Sequence, residues 1–268
     1  MNLAEVLAPL LPDPETGAVI ALVGAGGKTS ALFGLGQELA GNGVLLTTTT
    51  HLFDPRLERG RPFDQVVLDP ALALEWAPAE GGWDLAGPVP GRRVVLAAIA
   101  EPAQGRLSGI HPSRIAQLRR AWAFVIVEAD GAKRLSVKAP ADHEPVVPAS
   151  ADLVLGIVGL DCLGRPMDAA MVHRPERFGP VTGCAEGAPI RLEHIAALGR
   201  APLGLFKGAP ASARRVLVLN KADLCGLDPA GLIREIQAAP PGWADLVMVC
   251  SLGDPDPAKR VLAWAQLR

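Results

Sequence analysis

The chain has 268 residues, of which 49% are hydrophobic and 20% charged, and its formal charge is −2. This composition is typical of a compact folded protein and excludes a disordered chain. The nearly balanced charge gives no general attraction to nucleic acid or to an anionic membrane surface, so neither is expected as a partner. The length suits one large domain or two modest ones.

The cysteines and the first residues indicate where the protein works. Four widely spaced cysteines without a Cys-x-x-Cys pair favour neither a zinc ribbon nor a disulfide framework. Residues 1–12 lack the basic region and cleavage site of a signal peptide. Since no apolar run approaches the roughly 20 residues that cross a bilayer, we expect a cytoplasmic protein.

The segment AVIALVGAGGKTS at residues 18–30 predicts a buried strand, a glycine turn and a helix that runs to about Gly41. This is the order of a phosphate-binding loop, in which backbone amides surround phosphate oxygens, lysine reaches the β- and γ-phosphates and threonine ligates Mg²⁺. The helix N-terminus adds partial positive charge. The expected nucleotide contacts are Gly24, Ala25, Gly26, Gly27, Lys28, Thr29 and Ser30, with Lys28 also catalytic and Thr29 also a Mg²⁺ ligand.

The loop departs from the full pattern G-x-x-x-x-G-K-[ST], because Leu22 stands where the first glycine is required. The shorter G-x-x-G-K-T remains, a form also seen in amino-acid-adding ligases of the Mur type. A glycine-rich turn with an ordinary surface lysine is the alternative. The order of strand, turn and helix favours the phosphate loop.

Four threonines, Thr47 to Thr50, follow the next predicted strand at residues 44–46. Because β-branched residues suit strands, they are compatible with a simple strand end. Alternatively, their hydroxyls lie beside the γ-phosphate, since parallel sheets bind ligands at the carboxyl ends of their strands. On the second interpretation Thr50 is a candidate Mg²⁺ ligand.

Residues 54–91 are rich in proline, glycine and aspartate, with a weak strand at 65–68. We interpret them as an insertion in a single domain, with Trp76 and Trp83 as local packing residues. Beyond the insertion, the pattern predicts a strand at 94–98 and a helix over 112–120.

An apolar strand at 124–128 ends in acids, Glu128 and Asp130. On a regular strand residues two apart share a side. Carboxylates at this place can hold Mg²⁺ and position the attacking group, so both are candidate catalytic residues and metal ligands. Acids also occur at strand ends simply for solubility. Their position downstream of a phosphate loop favours function.

The polar segment 133–145 is either a solvated loop or an active-site loop that leaves the acidic strand end. The second interpretation makes Lys133, Asp142 and His143 functional, with Lys133 and His143 as catalytic candidates. A strand at 153–158 leads to Asp161. Downstream, the neighbours His173 and Arg174 are either surface residues or contacts for an anion.

A strand at 215–219 ends in Asn220-Lys221-Ala222-Asp223, which resembles the guanine-reading motif of GTPases. In that motif the Asp carboxylate accepts both N–H donors of guanine, the Lys stem packs over the base and the Asn ties the two loops together. Adenine presents the opposite pattern and leaves the carboxylate unpaired. The remaining pattern predicts helices at 189–199, 230–238 and 258–267 and a strand at 245–251.

Taken together, the motifs resemble the selenium-dependent hydroxylase accessory family called YqeC, over roughly residues 16–253. They are GAGGKT at 24–29, TTTT at 47–50, EADGAK at 128–133, KAPADHEP at 138–145, GIVGLD at 156–161, VHRPE at 172–176 and NKAD at 220–223. The family is associated with selenium-dependent molybdenum hydroxylases. The resemblance therefore implies a molybdenum hydroxylase or another selenium-pathway protein as partner.

The alternation of strands and helices predicts an α/β fold, a P-loop NTPase-like three-layer α/β/α sandwich with a mainly parallel sheet over residues 1–268. Three functions stay open. The first is a maturation factor that binds Mg²⁺ with GTP or ATP. The second is an ATP-dependent small-molecule ligase or kinase, with Lys133, His143 and His173 lining its pocket. The third is a non-catalytic, nucleotide-gated chaperone, although the isolated pair Cys162 and His173 disfavours direct metal handling.

Overall fold

The computed structural model describes residues 1–58, 60, 62–75 and 90–267. Within these residues the strands are β1 Ala18–Gly24, β2 Val44–Thr48, β3 His51–Phe53, β4 Gln65–Leu68, β5 Arg93–Ala97, β6 Ile99–Glu101, β7 Arg106–Ser108, β8 Phe124–Glu128, β9 Val137–Lys138, β10 Leu153–Gly159, β11 Val172–His173, β12 Arg214–Asn220, β13 Leu246–Cys250 and β14 Val261–Gln266. The α-helices are α1 Leu3–Leu7, α2 Lys28–Glu38, α3 Ile115–Leu118, α4 Pro175–Thr182, α5 Leu192–Arg200 and α6 Pro229–Gln237.

Nine strands form one sheet in the order β14-β13-β12-β10-β1-β8-β2-β5-β4. All neighbouring strands are parallel except β13 and β14. β1 lies at the centre, between β10 and β8. The apolar runs of the central strands are buried on both faces, as parallel sheets require. The predicted α/β fold with a mainly parallel sheet is confirmed.

Helices cover both faces of this sheet. Ile20 and Leu22 of β1 lie in the same apolar core as α1 and α2. Ala21 and Val23, on the opposite face of the strand, lie in a second core with the buried residues of α3, α4, α5 and α6. Because β1 is packed on both sides, its carboxyl end and the loop that follows are held firmly in place.

The helix predicted over residues 258–267 is wrong. This segment contains β14, which pairs antiparallel with β13 along one sheet edge. Val261 is buried, whereas Leu262 and Trp264 are exposed, so the burial alternates as it does in a strand. Alanine and leucine favour a helix locally, but the open hydrogen bonds of β13 outweigh that preference. The helix predicted over 112–120 is shorter, with a 3₁₀ turn at Pro112–Arg114 before α3.

β4, within the predicted insertion, forms the edge of the large sheet beside β5. A separate antiparallel sheet, in the order β3-β7-β6, was not predicted from the sequence. Trp76 and Trp83 lie outside the described residues. The arrangement as a single domain with an insertion stays a prediction. In the described part of the chain, every helix is too short or too polar to span a bilayer.

Candidate functional site

The glycine loop joins β1 to α2 at the carboxyl edge of the sheet. Gly24, Gly26 and Gly27 have positive φ angles of 87°, 79° and 141°. A Cβ atom on Gly26 would lie 2.4 Å from the backbone nitrogen of Gly159, and one on Gly27 would lie 2.2 Å from Nδ2 of Asn220. Both the backbone conformation and the close approach of neighbouring segments therefore require glycine here.

The first amides of the loop are already bonded to the protein. Gly24 donates to Oδ2 of Asp130 at 3.1 Å. The amides of Ala25 and Gly26 donate to the carbonyls of Ile157 and Leu135, at 2.8 and 3.0 Å. These contacts hold the loop in place and leave fewer amides for a phosphate than the sequence suggested.

The amides at the start of α2 are different. Within the described residues, the N–H groups at positions 27–30 have no hydrogen-bond acceptor. The first turn of a helix leaves its amides unpaired, and they carry the positive end of the helix dipole. Four such donors at the end of a glycine loop form a typical anion-binding arrangement.

Lys28 is buried at this point, and its Nζ donates to the carbonyl oxygen of Gly24 at 2.7 Å. Burial lowers the pKa of this ammonium group, and the nearby carboxylates of Glu128 and Asp130 oppose the shift. The lysine therefore folds back across the loop, next to two acids. An ammonium group held this way is poised to exchange its carbonyl contact for a phosphate oxygen.

Thr29 and Glu128 meet beside the loop. The Thr29 hydroxyl donates to Oε2 of Glu128 at 3.1 Å. Glu128 is the last residue of β8, next to β1 in the sheet, so strand pairing sets its position. A hydroxyl and a carboxylate side by side provide the hard oxygen ligands that Mg²⁺ prefers.

A cavity of about 460 Å³ opens over these groups. Its near side is formed by residues 26–30 together with Glu128 and Lys221. Its far side is formed by Lys133 and Arg134 and by the small antiparallel sheet, which contributes Phe53 and Arg106. The volume is typical of a small-molecule site.

A buried ion network lies behind the loop. Lys138 is 1% exposed, and its Nζ donates to Oδ1 of Asp130, to the carbonyl of Gly131 at 2.5 Å and to Oε2 of Glu144 at 2.7 Å. Arg174 also donates to Oε2 of Glu144, at 2.7 Å. Burial alone would raise the pKa of Glu144, but the hydrogen bonds from Arg174 and Lys138 outweigh it and lower the pKa to about 2.

This network changes the interpretation of Asp130. Burial raises the pKa of its carboxyl group, against the opposing effect of the Lys138 and Lys28 ammonium groups. Both oxygens have partners, one in Lys138 and the other in the Gly24 amide. β8 ends at Glu128, so Asp130 does not continue the strand beside it. Asp130 therefore fixes the glycine loop, and Glu128 is the acid that lies beside Thr29 at the cavity.

The threonines mostly connect neighbouring segments. The hydroxyls of Thr47, Thr48 and Thr49 donate to the carbonyls of Leu96, Glu128 and Val146, at 2.8, 2.7 and 2.7 Å. The Thr50 hydroxyl lies 3.4 Å from that of Thr48. Thr50 is not among the described residues that line the cavity. These contacts favour the strand-end interpretation over a position beside the γ-phosphate.

The polar segment is divided between two environments. Lys133 lines the cavity. The side chain of His143 is 78% exposed, with Nε2 3.9 Å from Oε1 of Glu144, and Asp142 forms an exposed ion pair with Arg177 at 2.7 Å. His173 is half-buried in β11, where burial and the cations Arg174, Lys138 and Lys133 lower its pKa to about 4. The structure therefore brings Lys133, but not His143, to the phosphate loop.

The Asn220 side chain joins three segments. Its Nδ2 donates to the Gly26 carbonyl at 2.7 Å, and its Oδ1 accepts from the amide of Leu252 at 2.9 Å. Lys221 lines the cavity and donates to Asp161 at 2.8 Å. Asp223 is exposed, and its amide donates to the Ser251 hydroxyl at 3.2 Å. Its carboxylate has no partner in the part of the chain that the structure describes.

Sequence reasoning missed four residues that shape the site, Phe53, Arg134, Lys138 and Glu144. One signal was available for Lys138, which stands between the apolar residues Val137 and Ala139. A lysine with apolar neighbours on both sides is often half-buried or paired. No local sequence pattern indicates the contact between Phe53 and Arg134, because the small antiparallel sheet, which holds Phe53, brings them together.

Comparisons with known proteins give a consistent result. The family model described as "YqeC protein" matches residues 20–176. A protein of Escherichia coli (strain K12), described as "Uncharacterized protein YqeC", is 35% identical over 211 residues, which cover 77% of this chain and 77% of that protein. No solved structure matches. The matched range contains the glycine loop, Glu128 and the buried network, and it ends before Asn220.

Proposed function

This chain belongs to the YqeC family, and we propose that it binds and hydrolyses a nucleoside triphosphate with Mg²⁺ at the loop of residues 24–30. One observation carries the proposal. The Thr29 hydroxyl and the Glu128 carboxylate meet at 3.1 Å beside the first amides of α2, which have no acceptor among the described residues. Donors for phosphate and oxygen ligands for a metal thus lie side by side, as a Mg²⁺–nucleotide requires.

Different residues of the loop and of β8 bind the phosphates and the metal ion. The amides at positions 27–30 hold the phosphates, and Lys28 exchanges the Gly24 carbonyl for a phosphate oxygen. Thr29 and Glu128 are the residues that would hold Mg²⁺, which supplies charge neutralisation to the phosphates when bound. Fixed positive charge of this kind stabilises the charge that develops during phosphoryl transfer.

The loops that follow β12 and β13 support a preference for guanine. Asn220 fixes both to the glycine loop, so a base bound there stays in register with its phosphates. The Asp223 carboxylate has no partner within the described residues and is open to two N–H donors. Guanine offers such a pair, whereas adenine does not.

The biological role follows from the family resemblance. We propose that nucleotide turnover serves the maturation of a selenium-dependent molybdenum hydroxylase. Turnover that rises when such an enzyme is added would support this role. Turnover that is complete without a partner would contradict it.

A specific observation favours a second candidate, an ATP-dependent ligase or kinase for small molecules. The cavity continues beyond the phosphate loop to the small antiparallel sheet, whereas Asp223 and Asn220 do not line it. In this case the Asn-Lys-Ala-Asp segment does not bind a base and serves only to connect neighbouring loops. The far side of the cavity then holds the second substrate.

Binding of fluorescently labelled GTP and ATP to the full chain, with Mg²⁺, tests these proposals. We expect GTP to bind more tightly, and Asp223→Asn to weaken GTP about tenfold or more, because the carboxamide places an NH₂ donor where one of the two acceptor oxygens was. Thr29→Val keeps the side-chain shape and removes the hydroxyl, so it should abolish the gain in affinity that Mg²⁺ provides.

Glu235→Gln, an exposed carboxylate in α6, is the matched control and should bind like the wild type. Equal affinity for the two nucleotides that Asp223→Asn leaves unchanged would support the ligase or kinase instead. Absence of binding by either nucleotide would overturn both candidates.

A further inference from the structure

The far side of the cavity is built to bind an anion. We propose that Lys133 and Arg134 form a subsite for a second ligand, a small molecule that carries a phosphate or carboxylate group, next to the nucleotide phosphates. This inference rests on the proposed function, because it places the second ligand beside a bound triphosphate. It goes further by naming the chemical class of the ligand and the residues that recognise it.

Arg134 is held in place by an aromatic ring. Its guanidinium carbon lies 4.9 Å from the centroid of the Phe53 ring. Its ion pair with Glu58 is long, at 4.0 Å, and its side chain is 75% exposed. A cation over the face of a ring is attracted by the ring electrons, and this contact uses none of the guanidinium N–H donors in a hydrogen bond to oxygen. Phe53 therefore helps to position Arg134, whose N–H donors have no hydrogen-bond acceptor within the described residues.

The backbone fixes both cations relative to the phosphate loop. Lys133 and Arg134 have φ angles of 46° and 63°, a backbone conformation that residues other than glycine rarely adopt. The loop is anchored directly after them, because the Leu135 carbonyl accepts from the Gly26 amide at 3.0 Å. Backbone strain maintained by such contacts is typical of ligand clamps.

The charge in the cavity also favours an anion. Among the described residues, five cationic and two acidic side chains line it. Arg106 is paired with Glu101 at 2.7 Å, and Lys221 is paired with Asp161 at 2.8 Å. Within the described residues Lys133 has no partner. Lys28 and the α2 amides serve the nucleotide, so Lys133 and Arg134 supply the charge that remains for another ligand.

The base of the nucleotide does not account for this side of the cavity. The loops that carry Asp223 and Ser251 follow β12 and β13, whereas Phe53 lies in the small sheet that follows β2. Neither Asp223 nor Ser251 is among the described residues that line the cavity. We therefore assign the nucleotide base to the loops after β12 and β13, and the second ligand to the far side of the cavity.

Calorimetric titration of the nucleotide-loaded protein tests the proposal. The full chain is saturated with Mg²⁺ and the β,γ-methylene analogue of the preferred nucleotide, and inorganic phosphate or acetate is added as the probe. We expect one of these probes to bind, and Lys133→Ala combined with Arg134→Gln to weaken it at least about tenfold, as expected for lost charge-assisted hydrogen bonds. Phe53→Leu should weaken it about twofold to fivefold, by releasing Arg134.

Arg120→Gln, an exposed arginine outside the cavity, is the matched control and should leave probe binding unchanged. Preference for phosphate or for acetate identifies the group that the subsite binds. The proposal is overturned if neither probe binds, if the double variant binds the probe like the wild type, or if the probe displaces the nucleotide. The proposal is also overturned if the double variant loses as much affinity for the nucleotide as it does for the probe. The base or the phosphates of the nucleotide would then occupy the far side of the cavity.

Failure of the proposed function gives a different result. If no nucleotide binds the wild type, the same titrations without nucleotide still report whether Lys133 and Arg134 bind an oxyanion. Probe binding that depends on both residues would then support the anion subsite, and only the proposed triphosphate site beside it would be refuted.

Discussion

At the scale of single residues, the decisive contact is the one between Glu128 and Thr29. Glu128→Gln keeps the size of the side chain and an acceptor for the threonine hydroxyl, but it removes the charge that Mg²⁺ requires. We expect Mg²⁺-dependent phosphate release to fall about 100-fold or more, the usual cost of losing one electrostatic group in an active site. Nucleotide binding measured without Mg²⁺ should stay within about threefold of the wild type.

Phosphate release by this variant is compared with that of Glu235→Gln, which removes an exposed carboxylate on α6. A Glu128→Gln protein that hydrolyses nucleotide like this control would show that the acid at the end of β8 holds no metal.

The buried network predicts how stability depends on pH. The pKa of Glu144 is about 2 in the folded protein, against an ordinary value of 4.5. A carboxyl group with a lowered pKa stabilises the folded state fully above its ordinary pKa, and this contribution is lost as the pH falls toward the folded value. The free energy of unfolding should therefore fall between about pH 5 and pH 2, partly because of this group.

Urea unfolding at a series of pH values measures this contribution. Glu144→Gln should be less stable at pH 7, because Lys138 and Arg174 lose their shared carboxylate, and its stability should fall less steeply below pH 5. The same acid slope in variant and wild type would exclude Glu144 as a source of the pH dependence.

At the scale of secondary-structure elements, Gly199 of α5 shows how packing reverses a local preference. Alanine in a helix interior is favoured over glycine by about 1 kcal/mol. Here a Cβ atom would lie 2.2 Å from Cζ3 of Trp243. The Trp243 side chain is buried, so the ring cannot move without repacking. Overpacking of this kind costs about 1–3 kcal/mol, which exceeds the helical gain.

We therefore expect Gly199→Ala to lower the free energy of unfolding by about 1–2 kcal/mol in urea titrations. Gly41→Ala is the control, because nothing lies within 4 Å of its added Cβ. A Gly199→Ala protein as stable as the control would mean that α5 and Trp243 adjust freely.

The strands were predictable from the sequence because their apolar runs are short and end at glycine or at a polar residue. β1, β8 and β12 lie where those patterns indicate, and each ends in a residue of the site. β14 was missed because its alanines and leucine favour a helix, and only the edge of β13 makes it a strand. The small β3-β7-β6 sheet was missed because its strands have three residues each.

At the scale of the whole molecule, the near side of the cavity could be predicted and the far side could not. The near side consists of short segments that each carry a recognisable pattern, Gly26 to Ser30, the end of β8 and the motif that contains Lys221. The far side joins Phe53 to Arg134 across 81 positions. Lys138 is closer to its partners, since Asp130 lies 8 and Glu144 lies 6 residues away, but irregular loops separate it from both. Contacts of this kind leave no local periodicity.

Ligand binding should stabilise the entire fold, because the glycine loop connects β1, α2, β10 and β12 through its hydrogen bonds. A ligand at 100 times its Kd adds about 2.7 kcal/mol to the free energy of unfolding. For a protein of this size, that corresponds to a rise in Tm of about 5–10 °C. We expect this rise with Mg²⁺ and the preferred triphosphate in scanning calorimetry, and no rise for Lys28→Ala.

The diphosphate and the free nucleoside separate the contributions to this rise. The diphosphate should give a smaller rise, because it lacks the γ-phosphate, and the nucleoside almost none, because in the proposed function the α2 amides and Lys28 bind phosphate oxygens. A rise of equal size with the nucleoside alone would place the binding energy at the base, and a Lys28→Ala protein that still responds fully would remove the glycine loop from the site.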